Sequence, residues 1–215
     1  NDIAVIGARG VDDWTGAAYV FERVGVDWIE RDILFNDEGF PNGMFGKSVA
    51  VSGETVFVGE SSNTVTPAGT VWVFHRDGND WVEQESLIAS AIAHNVGFGK
   101  SIAVDNDTLM VGARNYDGHV GAVYVFQWNG ANWVDQEKLV AIDGEPDDEF
   151  GQSVSLDRDT AVIGASTWSY VGHCSGSGKA YIFEREGSQW DQEDRLLHSD
   201  GNEEDCFGFS VALSE

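Results

Sequence analysis

Residues 98–133 read FGKSIAVDNDTLMVGARNYDGHVGAVYVFQWNGANW, and this stretch returns in altered form, in register, before and after itself. Each full copy opens on Phe-Gly and continues through an apolar run that ends in Gly, an aromatic–β-branched–Phe triplet and a Trp. The Phe-Gly pairs are Phe45-Gly46, Phe98-Gly99, Phe150-Gly151 and Phe207-Gly208. A repeat with a period of about 50 residues predicts stacked structural units, so the repeat decides the fold.

One unit reads as four strands, named s1 to s4 here. Residues 98–104 (s1) and 108–112 (s2) are β-branched or apolar runs joined by the turn-forming Asp105-Asn106-Asp107. AVYVF at 122–126 is s3, and a turn at Asn129-Gly130 leads to s4, which alternates in polarity as a half-exposed strand does. Placing such sheets around an axis covers their apolar faces. The sequence therefore predicts an all-β fold, a β-propeller with four repeats that are four-stranded antiparallel blades.

The repeat boundaries predict a single propeller domain over residues 1–215. Its blades are residues 1–44 with 207–215, then 45–97, 98–149 and 150–206. The ending FGFSVALSE reads as s1 and the opening NDIAVIG reads as s2, so Phe207–Leu213 is expected to pair with Ile3–Gly7 and close the ring. Two alternatives stay open: an excerpt from a longer array, which the start in mid-repeat favours, and a ring shared by two chains.

The charge balance narrows the class of partner. The chain has 37 acidic and 12 basic residues and a formal net charge of −25. Such a surface repels nucleic-acid phosphate and anionic lipid, so neither is an expected partner. No apolar run approaches the roughly 20 residues needed to span a bilayer, so membrane insertion is not expected either. The acidity suits salty surroundings, a divalent cation or a basic partner.

The spaced motifs together resemble a known family. A second motif follows s2 in each repeat, at Gly7-Ala8-Arg9, Gly59-Glu60-Ser61, Gly112-Ala113-Arg114 and Gly164-Ala165-Ser166. With the Phe-Gly pairs, these residues resemble the FG-GAP repeats of the integrin α-subunit propeller and its bacterial and protist relatives, in a shorter subtype. The resemblance implies a propeller that is usually extracellular and is used in adhesion or protein–protein contact.

The calcium loops of integrin-type repeats are not carried over to this chain. They lie between s1 and s2, where this sequence has only short turns such as Asp157-Arg158-Asp159. These turns are too short to supply the roughly 6–8 oxygens that Ca²⁺ prefers.

The s2–s3 and s4–s1 loops of such a meander share one side of the propeller, called the loop face here. Exposed aromatic and imidazole rings on loops held by a rigid scaffold suit protein or sugar contact. The candidate binding residues of the loop face are Trp14, Tyr116, His119, Trp168, Tyr170 and His173. The alternative is that these rings pack loop against loop.

The s4–s1 loops are rich in carboxylates, which are the oxygen ligands that Ca²⁺ takes. The candidate metal ligands are Asp143, Asp147, Asp148, Asp200 and Asp205. The alternative is a hydrated acidic rim that holds no ion. Apart from Ca²⁺, no cofactor is expected.

Two further features concern the compartment. Cys174 and Cys206 fall on adjacent loops of the same face, which predicts a disulfide and hence an oxidising environment. Asn106-Asp107-Thr108 is a glycosylation sequon on a turn, which makes Asn106 a candidate glycosylation site.

These patterns favour a non-enzymatic extracellular adhesion or structural module that binds a protein or a glycan through the loop face. The sequence has no Gly-x-Ser-x-Gly elbow, and its five histidines have no Ser or Cys partner at motif spacing, so no catalytic residue is assigned. Two alternatives stay open: a polysaccharide hydrolase or lyase on a propeller scaffold, and a subunit of a larger assembly that joins through its terminal strands.

Overall fold

A computed structural model describes residues 2–36, 41–61, 68–89, 96–167, 176–200, 202 and 204–214. The described residues form fifteen strands and two one-turn segments assigned as helix, which confirms the all-β class. None of their helices is long and apolar enough to cross a bilayer. The chain divides into two compact units, residues 1–99 and 100–215.

The first unit contains two sheets. The first sheet has three strands, β1 (Ile3–Ala8), β2 (Ala17–Val24) and β3 (Asp27–Leu34). The second sheet has four strands, β4 (Phe45–Ser52), β5 (Thr55–Glu60), β6 (Thr70–Asp77) and β7 (Asp80–Leu87). All paired strands are antiparallel neighbours in chain order, as expected of a propeller blade.

The second unit repeats this plan. The third sheet consists of β8 (Phe98–Asp105), β9 (Thr108–Ala113), β10 (Ala122–Trp128) and β11 (Trp133–Leu139). The boundary between the two units falls inside β8, after Gly99. The fourth sheet consists of β12 (Phe150–Asp157), β13 (Thr160–Ala165), β14 (Lys179–Glu186) and β15 (Gln189–Leu196). Four blade-like sheets in four repeats agree with the predicted propeller architecture.

The described residues 209–214 form no strand. The first sheet accordingly has three strands rather than four. Ring closure by Phe207–Leu213 on Ile3–Gly7 stays a prediction.

The Phe-Gly pairs at 45, 150 and 207 each form a tight turn, and the first two of these turns begin the first strand of their sheets. The residue before Phe accepts a hydrogen bond from the residue after Gly, as in Lys47 N–H to the Met44 carbonyl at 3.0 Å and Gln152 N–H to the Glu149 carbonyl at 3.0 Å. The Gly has φ of +79° in Gly46 and +88° in Gly151. A type II turn needs positive φ at this position, where Gly adopts it at no steric cost.

The carbonyl of this Gly then meets the neighbouring sheet of the same unit. A Cβ on Gly7 would overlap the Gly46 carbonyl oxygen, and a Cβ on Gly164 would overlap that of Gly208. The second Gly of the repeat is therefore required because the backbone of the next Phe-Gly turn crosses directly over it. The Phe-Gly motif of one repeat and the Gly of the second motif in the preceding repeat therefore contact each other directly.

A serine two residues after the Phe-Gly pair fixes the same crossing. Ser101 Oγ donates to the Gly151 carbonyl at 2.8 Å, and Ser153 Oγ donates to the Gly208 carbonyl at 2.8 Å. We expect Ser153→Ala to lower the free energy of unfolding of the second unit by about 1 kcal/mol, since one partly buried hydrogen bond is lost. Urea denaturation would measure this.

Ser155→Ala is the comparison for that measurement, because Ser155 Oγ accepts a bond from Leu213 N–H and lies outside the Gly–Gly crossing. Equal stability of Ser153→Ala and the unaltered chain would contradict the assigned role of the serine.

The core of each unit lies between its two sheets. In the first unit, Val20 and Leu34 pack with Val58, Phe74 and Trp81. In the second unit, the equivalent cluster holds Val125 and Leu139 against Ile163, Phe183 and Trp190. The periodic Trp residues predicted to be structural are 9%, 9% and 5% exposed at Trp81, Trp133 and Trp190. Trp28 departs from that pattern, with 49% exposure.

Candidate functional site

Two equivalent s2–s3 loops adopt an unusual left-handed backbone. The segments α1 (Val11–Trp14) and α2 (Tyr116–His119) contain positive φ angles inside, so neither is an ordinary helix. The values are +44°, +55° and +67° at Asp12, Asp13 and Trp14, and +49°, +68° and +68° at Asp117, Gly118 and His119. L-residues rarely adopt this conformation in succession, because Cβ crowds the following carbonyl.

Backbone hydrogen bonds hold both loops in this conformation. Gly16 N–H donates to the Val11 carbonyl at 2.9 Å, and Gly121 N–H donates to the Tyr116 carbonyl at 2.9 Å. The residue that precedes the next Phe-Gly pair donates a further backbone hydrogen bond to each loop. Met44 N–H donates to the Trp14 carbonyl at 2.8 Å, and Glu149 N–H donates to the His119 carbonyl at 2.8 Å. Trp14 and His119 therefore occupy equivalent, well-fixed positions in their units.

Trp14 is the exposed member of this pair. Its side chain is 46% exposed, and the guanidinium carbon of Arg9 lies 5.5 Å from its ring centroid. An Arg at this distance makes a cation–π contact, which limits the movement of the indole without burying it. The result is a large apolar ring presented to solvent on a fixed backbone.

Tyr116 is covered on one side by a lysine. Lys138 Nζ lies 2.6 Å from the Tyr116 hydroxyl and 4.2 Å from the ring centroid. Lys138 belongs to β11, so this contact is between a strand and a loop of one sheet. The sequence left two roles open for this ring, contact with a partner and packing within the protein. Tyr116 packs against Lys138 and is still partly exposed.

His119 lies beside a buried carboxylate, Glu149. Glu149 is 2% exposed and forms an ion pair with Arg114 at 2.8 Å, while His119 Nδ1 lies 3.9 Å away. Arg114 also donates to Gln152 Oε1 at 3.2 Å. Burial raises the pKa of Glu149, and the charges of Arg114, His119 and Lys100 oppose that rise. Since Arg114 binds this carboxylate away from solvent, we assign Glu149 to positioning the loop.

Two of the predicted metal ligands are bound by cations of the same unit. Asp148 forms an ion pair with Lys179 at 2.8 Å and accepts a hydrogen bond from Glu145 N–H at 3.0 Å. Asp143 pairs with Arg195 and accepts a hydrogen bond from the Tyr181 hydroxyl at 3.0 Å. Burial acts to raise the pKa of Asp143, but the bonds from Arg195 and Tyr181 and the Arg195 charge outweigh it and lower that pKa. These carboxylates connect a loop to strands β14 and β15.

The remaining predicted ligands differ in their surroundings. Asp147 is exposed, with φ of +69°. Asp200 and Asp205 flank His198, with carboxylate oxygens 3.1 and 3.5 Å from its Nδ1. The imidazole stacks on Phe207 with ring centroids 5.5 Å apart. The ligand atoms of His198, Asp200 and Asp205 lie within 4.8 Å of one another, which is close enough for all three to contact one metal ion. Ca²⁺ binding in the acidic loops stays a prediction.

Some predicted residues lie outside the described part of the chain. Trp168, Tyr170, His173 and Cys174 are in this group. Cys206 is disulfide-bonded, and Cys174 is the only other cysteine in the sequence. Asn106 is exposed on the β8–β9 turn with φ of +51°, and its Nδ2 donates to Asp105 Oδ1 at 3.0 Å.

Sequence reasoning missed the cations that organise these loops, namely Arg9, Arg114, Lys138, Lys179 and Arg195. Of these, only Arg9 and Arg114 could have been identified from the sequence, because both follow the Gly-Ala pair of the second motif. Lys138, Lys179 and Arg195 lie on strands, and they reach their partners Tyr116, Asp148 and Asp143 only after folding.

The sheets, the Phe-Gly turns and the loop geometry define this chain as a repeat protein of β-propeller type. The FG-GAP repeat family matches residues 81–126, 133–183 and 190–215, which is more than half of the chain. The chain belongs to the FG-GAP repeat family, as the motifs predicted. Comparison with the curated proteins gives no match.

Repeats of this family indicate a β-propeller-like protein-interaction module, and they occur in extracellular proteins.

Proposed function

We propose that this chain is a non-enzymatic, extracellular interaction module whose loop face binds a protein partner. The observation that carries the proposal is Trp14, a 46% exposed indole held on a left-handed turn by backbone hydrogen bonds. Function concentrates on loops that a rigid scaffold positions, and Trp is the residue most enriched among energetic hot spots of interfaces.

The backbone around Trp14 supports this proposal. Asp12, Asp13 and Trp14 all have positive φ without being glycine. Each such residue costs on the order of 1–3 kcal/mol and persists only where the surroundings enforce it. The left-handed turn fixes the direction in which the loop presents the Trp14 ring to solvent, and a ring held in a fixed orientation favours a role in recognition.

The charge around Trp14 indicates the chemistry of the partner. Asp12 and Asp13, which precede Trp14 in the chain, are both exposed and outnumber Arg9, whose guanidinium lies against the indole; the chain carries a net charge of −25. An acidic surface accelerates encounter with a basic one and disfavours acidic partners. We therefore expect a protein with a basic surface, in which an apolar or cationic side chain contacts the Trp14 ring.

The compartment is proposed on two supports. Cys206 is disulfide-bonded, and disulfides persist in oxidising environments such as the cell exterior. The family to which the chain belongs occurs in extracellular proteins. Both supports concern the compartment; adhesion is proposed as the use because the repeats resemble those of the integrin α-subunit.

Replacement of Trp14 by alanine tests the site. Arrays of immobilised extracellular protein domains and of glycans would first identify a ligand, and surface plasmon resonance would then give its Kd. Loss of a hot spot of about 2 kcal/mol raises Kd by roughly 30-fold, so we expect a change of that size in Trp14→Ala.

Trp28→Ala is the matched control, because Trp28 is 49% exposed but lies on a strand of the first sheet. Affinity that falls equally in both variants, or in neither, would refute the assignment to Trp14. Binding to glycans alone would favour the sugar-binding alternative, and a loss of affinity in EDTA would assign a cation to the interface.

A further inference from the structure

Three side chains that can bind a metal converge on the connection that follows β15 in the second unit. His198 Nδ1 lies 3.1 Å from Asp200 Oδ1 and 3.5 Å from Asp205 Oδ2. The ligand atoms of all three residues lie within 4.8 Å of one another. These residues are called the His–Asp cluster here. One of its donors is an imidazole nitrogen, so the cluster differs from the carboxylate ligands that the sequence predicted.

Contacts outside the cluster hold its imidazole in place. The ring of His198 stacks on Phe207 at 25°, with centroids 5.5 Å apart, and the side chain is only 12% exposed. Phe207 is fixed in turn, because its N–H donates to the Ser177 carbonyl at 3.0 Å and its backbone forms a bridge with Gly178. The fold therefore contributes to the orientation of the imidazole, together with the two carboxylates.

One of the two carboxylates also stands on a restrained backbone. Asp205 precedes Cys206, which is disulfide-bonded and whose carbonyl accepts a hydrogen bond from Phe209 N–H at 2.9 Å. Its side chain is 41% exposed, whereas that of Asp200 is 76% exposed. An ion that binds here orders one freely exposed carboxylate rather than three mobile ligands, which reduces the entropic cost of binding.

The separations of the ligand atoms suit a small divalent ion. Zn²⁺ binds a His nitrogen at about 2.0–2.1 Å and a carboxylate oxygen at about 2.0–2.2 Å, and tetrahedral angles then place neighbouring ligand atoms about 3.4 Å apart. The separations of 3.1 and 3.5 Å from His198 Nδ1 lie on either side of this value. The two carboxylates must approach each other to complete the set, which the exposed Asp200 side chain allows.

The imidazole decides the class of metal. Ca²⁺ and Mg²⁺ take oxygen ligands, whereas imidazole suits Zn²⁺, Cu²⁺, Ni²⁺ and iron. Cu²⁺ and Ni²⁺ favour square-planar or tetragonal sites, and Zn²⁺ favours tetrahedral ones. One imidazole and two carboxylates at near-tetrahedral separations therefore favour Zn²⁺.

We propose that His198, Asp200 and Asp205 bind Zn²⁺, with one ligand atom from each residue and the fourth position taken by water. The neutral imidazole presents the lone pair of Nδ1 to the ion, so its proton lies on Nε2. The ion closes the loop of residues 198–205 beside Phe207 and balances the two carboxylate charges. It thereby anchors the connection between β15 and the last Phe-Gly turn. This site does not involve Trp14.

Isothermal titration calorimetry with ZnCl₂ tests the proposal on the 215-residue chain after treatment with EDTA. The titration is run at about pH 7.5, where the ligands are deprotonated, and without reductant, so that the disulfide-bonded Cys206 offers no thiolate to the ion. We expect one equivalent of Zn²⁺ to bind. Ca²⁺ in about tenfold excess should leave that equivalent in place, because Ca²⁺ does not favour an imidazole ligand.

Three variants assign the equivalent to the cluster. His198→Phe keeps an aromatic ring beside Phe207 and removes the ligand nitrogen, so it should fold, as circular dichroism would show, and lose the equivalent. Asp205→Asn should raise Kd at least about tenfold, since even partners outside the first ligand shell have effects of this size. His75→Ala, at an exposed position of β6 in the first unit, is the control and should bind Zn²⁺ like the unaltered chain.

The contrary results are equally specific. Absence of a Zn²⁺ equivalent in the unaltered chain would overturn the proposal, and it would leave the cluster as an imidazolium ion paired with two carboxylates. An equivalent that persists in the folded His198→Phe variant, or that an equal concentration of Ca²⁺ displaces, would also overturn it.

Discussion

Gly7→Ala is expected to destabilise the first compact unit by about 3 kcal/mol, at the upper end of what overpacking costs. An added Cβ would overlap the Gly46 carbonyl oxygen and lie 3.0 Å from its carbonyl carbon. The clash is with backbone rather than with a movable side chain, so the Phe-Gly turn of the second sheet must shift. That shift separates β1 from β4 and loosens the core between the two sheets.

Gly10→Ala, in the loop that follows β1, provides the matched control. Gly10 has nothing within 4 Å of an added Cβ and its φ is −94°, which alanine tolerates. Alanine there restricts the unfolded chain and should be neutral or stabilising by up to about 1 kcal/mol. Urea denaturation compares the free energies of unfolding, and hydrogen exchange on β4 peptides locates the effect. A Gly7→Ala protein as stable as Gly10→Ala would disprove the contact between the two motifs.

Arg114→Met is expected to cost about 3 kcal/mol at pH 7. It leaves the Glu149 carboxylate, 2% exposed, without its 2.8 Å cation partner. Removing one partner of a buried ion pair is strongly destabilising, because an uncompensated charge stays in the interior. Lys100 and His119 lie near enough to reduce the penalty, which places the expected value at the lower end of the usual range.

The pH dependence separates this effect from lost packing. Burial already raises the pKa of Glu149, and loss of Arg114 raises it further. A carboxyl whose folded-state pKa is raised contributes stability that is fully present below the unfolded pKa and is lost as pH rises through the folded pKa. The deficit of Arg114→Met should therefore shrink between pH 7 and pH 4.5.

Two further variants complete that experiment. Adding Glu149→Gln to Arg114→Met should recover most of the lost stability at pH 7, since the buried charge is gone. Arg23→Met removes an exposed ion pair with Asp2 and should cost under about 1 kcal/mol. An equal deficit at both pH values would show that Arg114 acts through packing alone.

Strands and turns could be predicted from the sequence because their signals are local. The alternation from Trp133 onward predicted s4, which the structure places at Trp133–Leu139. The Gly of Phe-Gly pairs has positive φ in every repeat, as a residue without Cβ permits. The burial of Trp could be predicted less well, because it depends on which sheet lies beside it. Trp28 has the motif of the other three residues and yet is exposed.

The loops were predictable only in part. Trp14 was predicted as a binding residue from its residue type and its position in a loop. The sequence Val-Asp-Asp-Trp does not predict a left-handed backbone, because that conformation usually requires glycine. Asp143 and Asp148 were read as candidate ligands for a cation. The structure places Arg195 and Lys179 against them, and these partners are distant in sequence.

The sequence by itself determined the period, the strand order, the position of each turn and the membership in the FG-GAP repeat family. These depend on residues within a few positions of one another, where side-chain type directly limits φ and ψ. Only the tertiary structure decided that the second Gly of the repeat lies under the next Phe-Gly carbonyl, and that Glu149 is buried beside Arg114. It also decided that Trp28 is exposed whereas Trp81, Trp133 and Trp190 are buried. These contacts join groups about 35 to 50 residues apart, and their energy depends on distances that exist only once the sheets have packed.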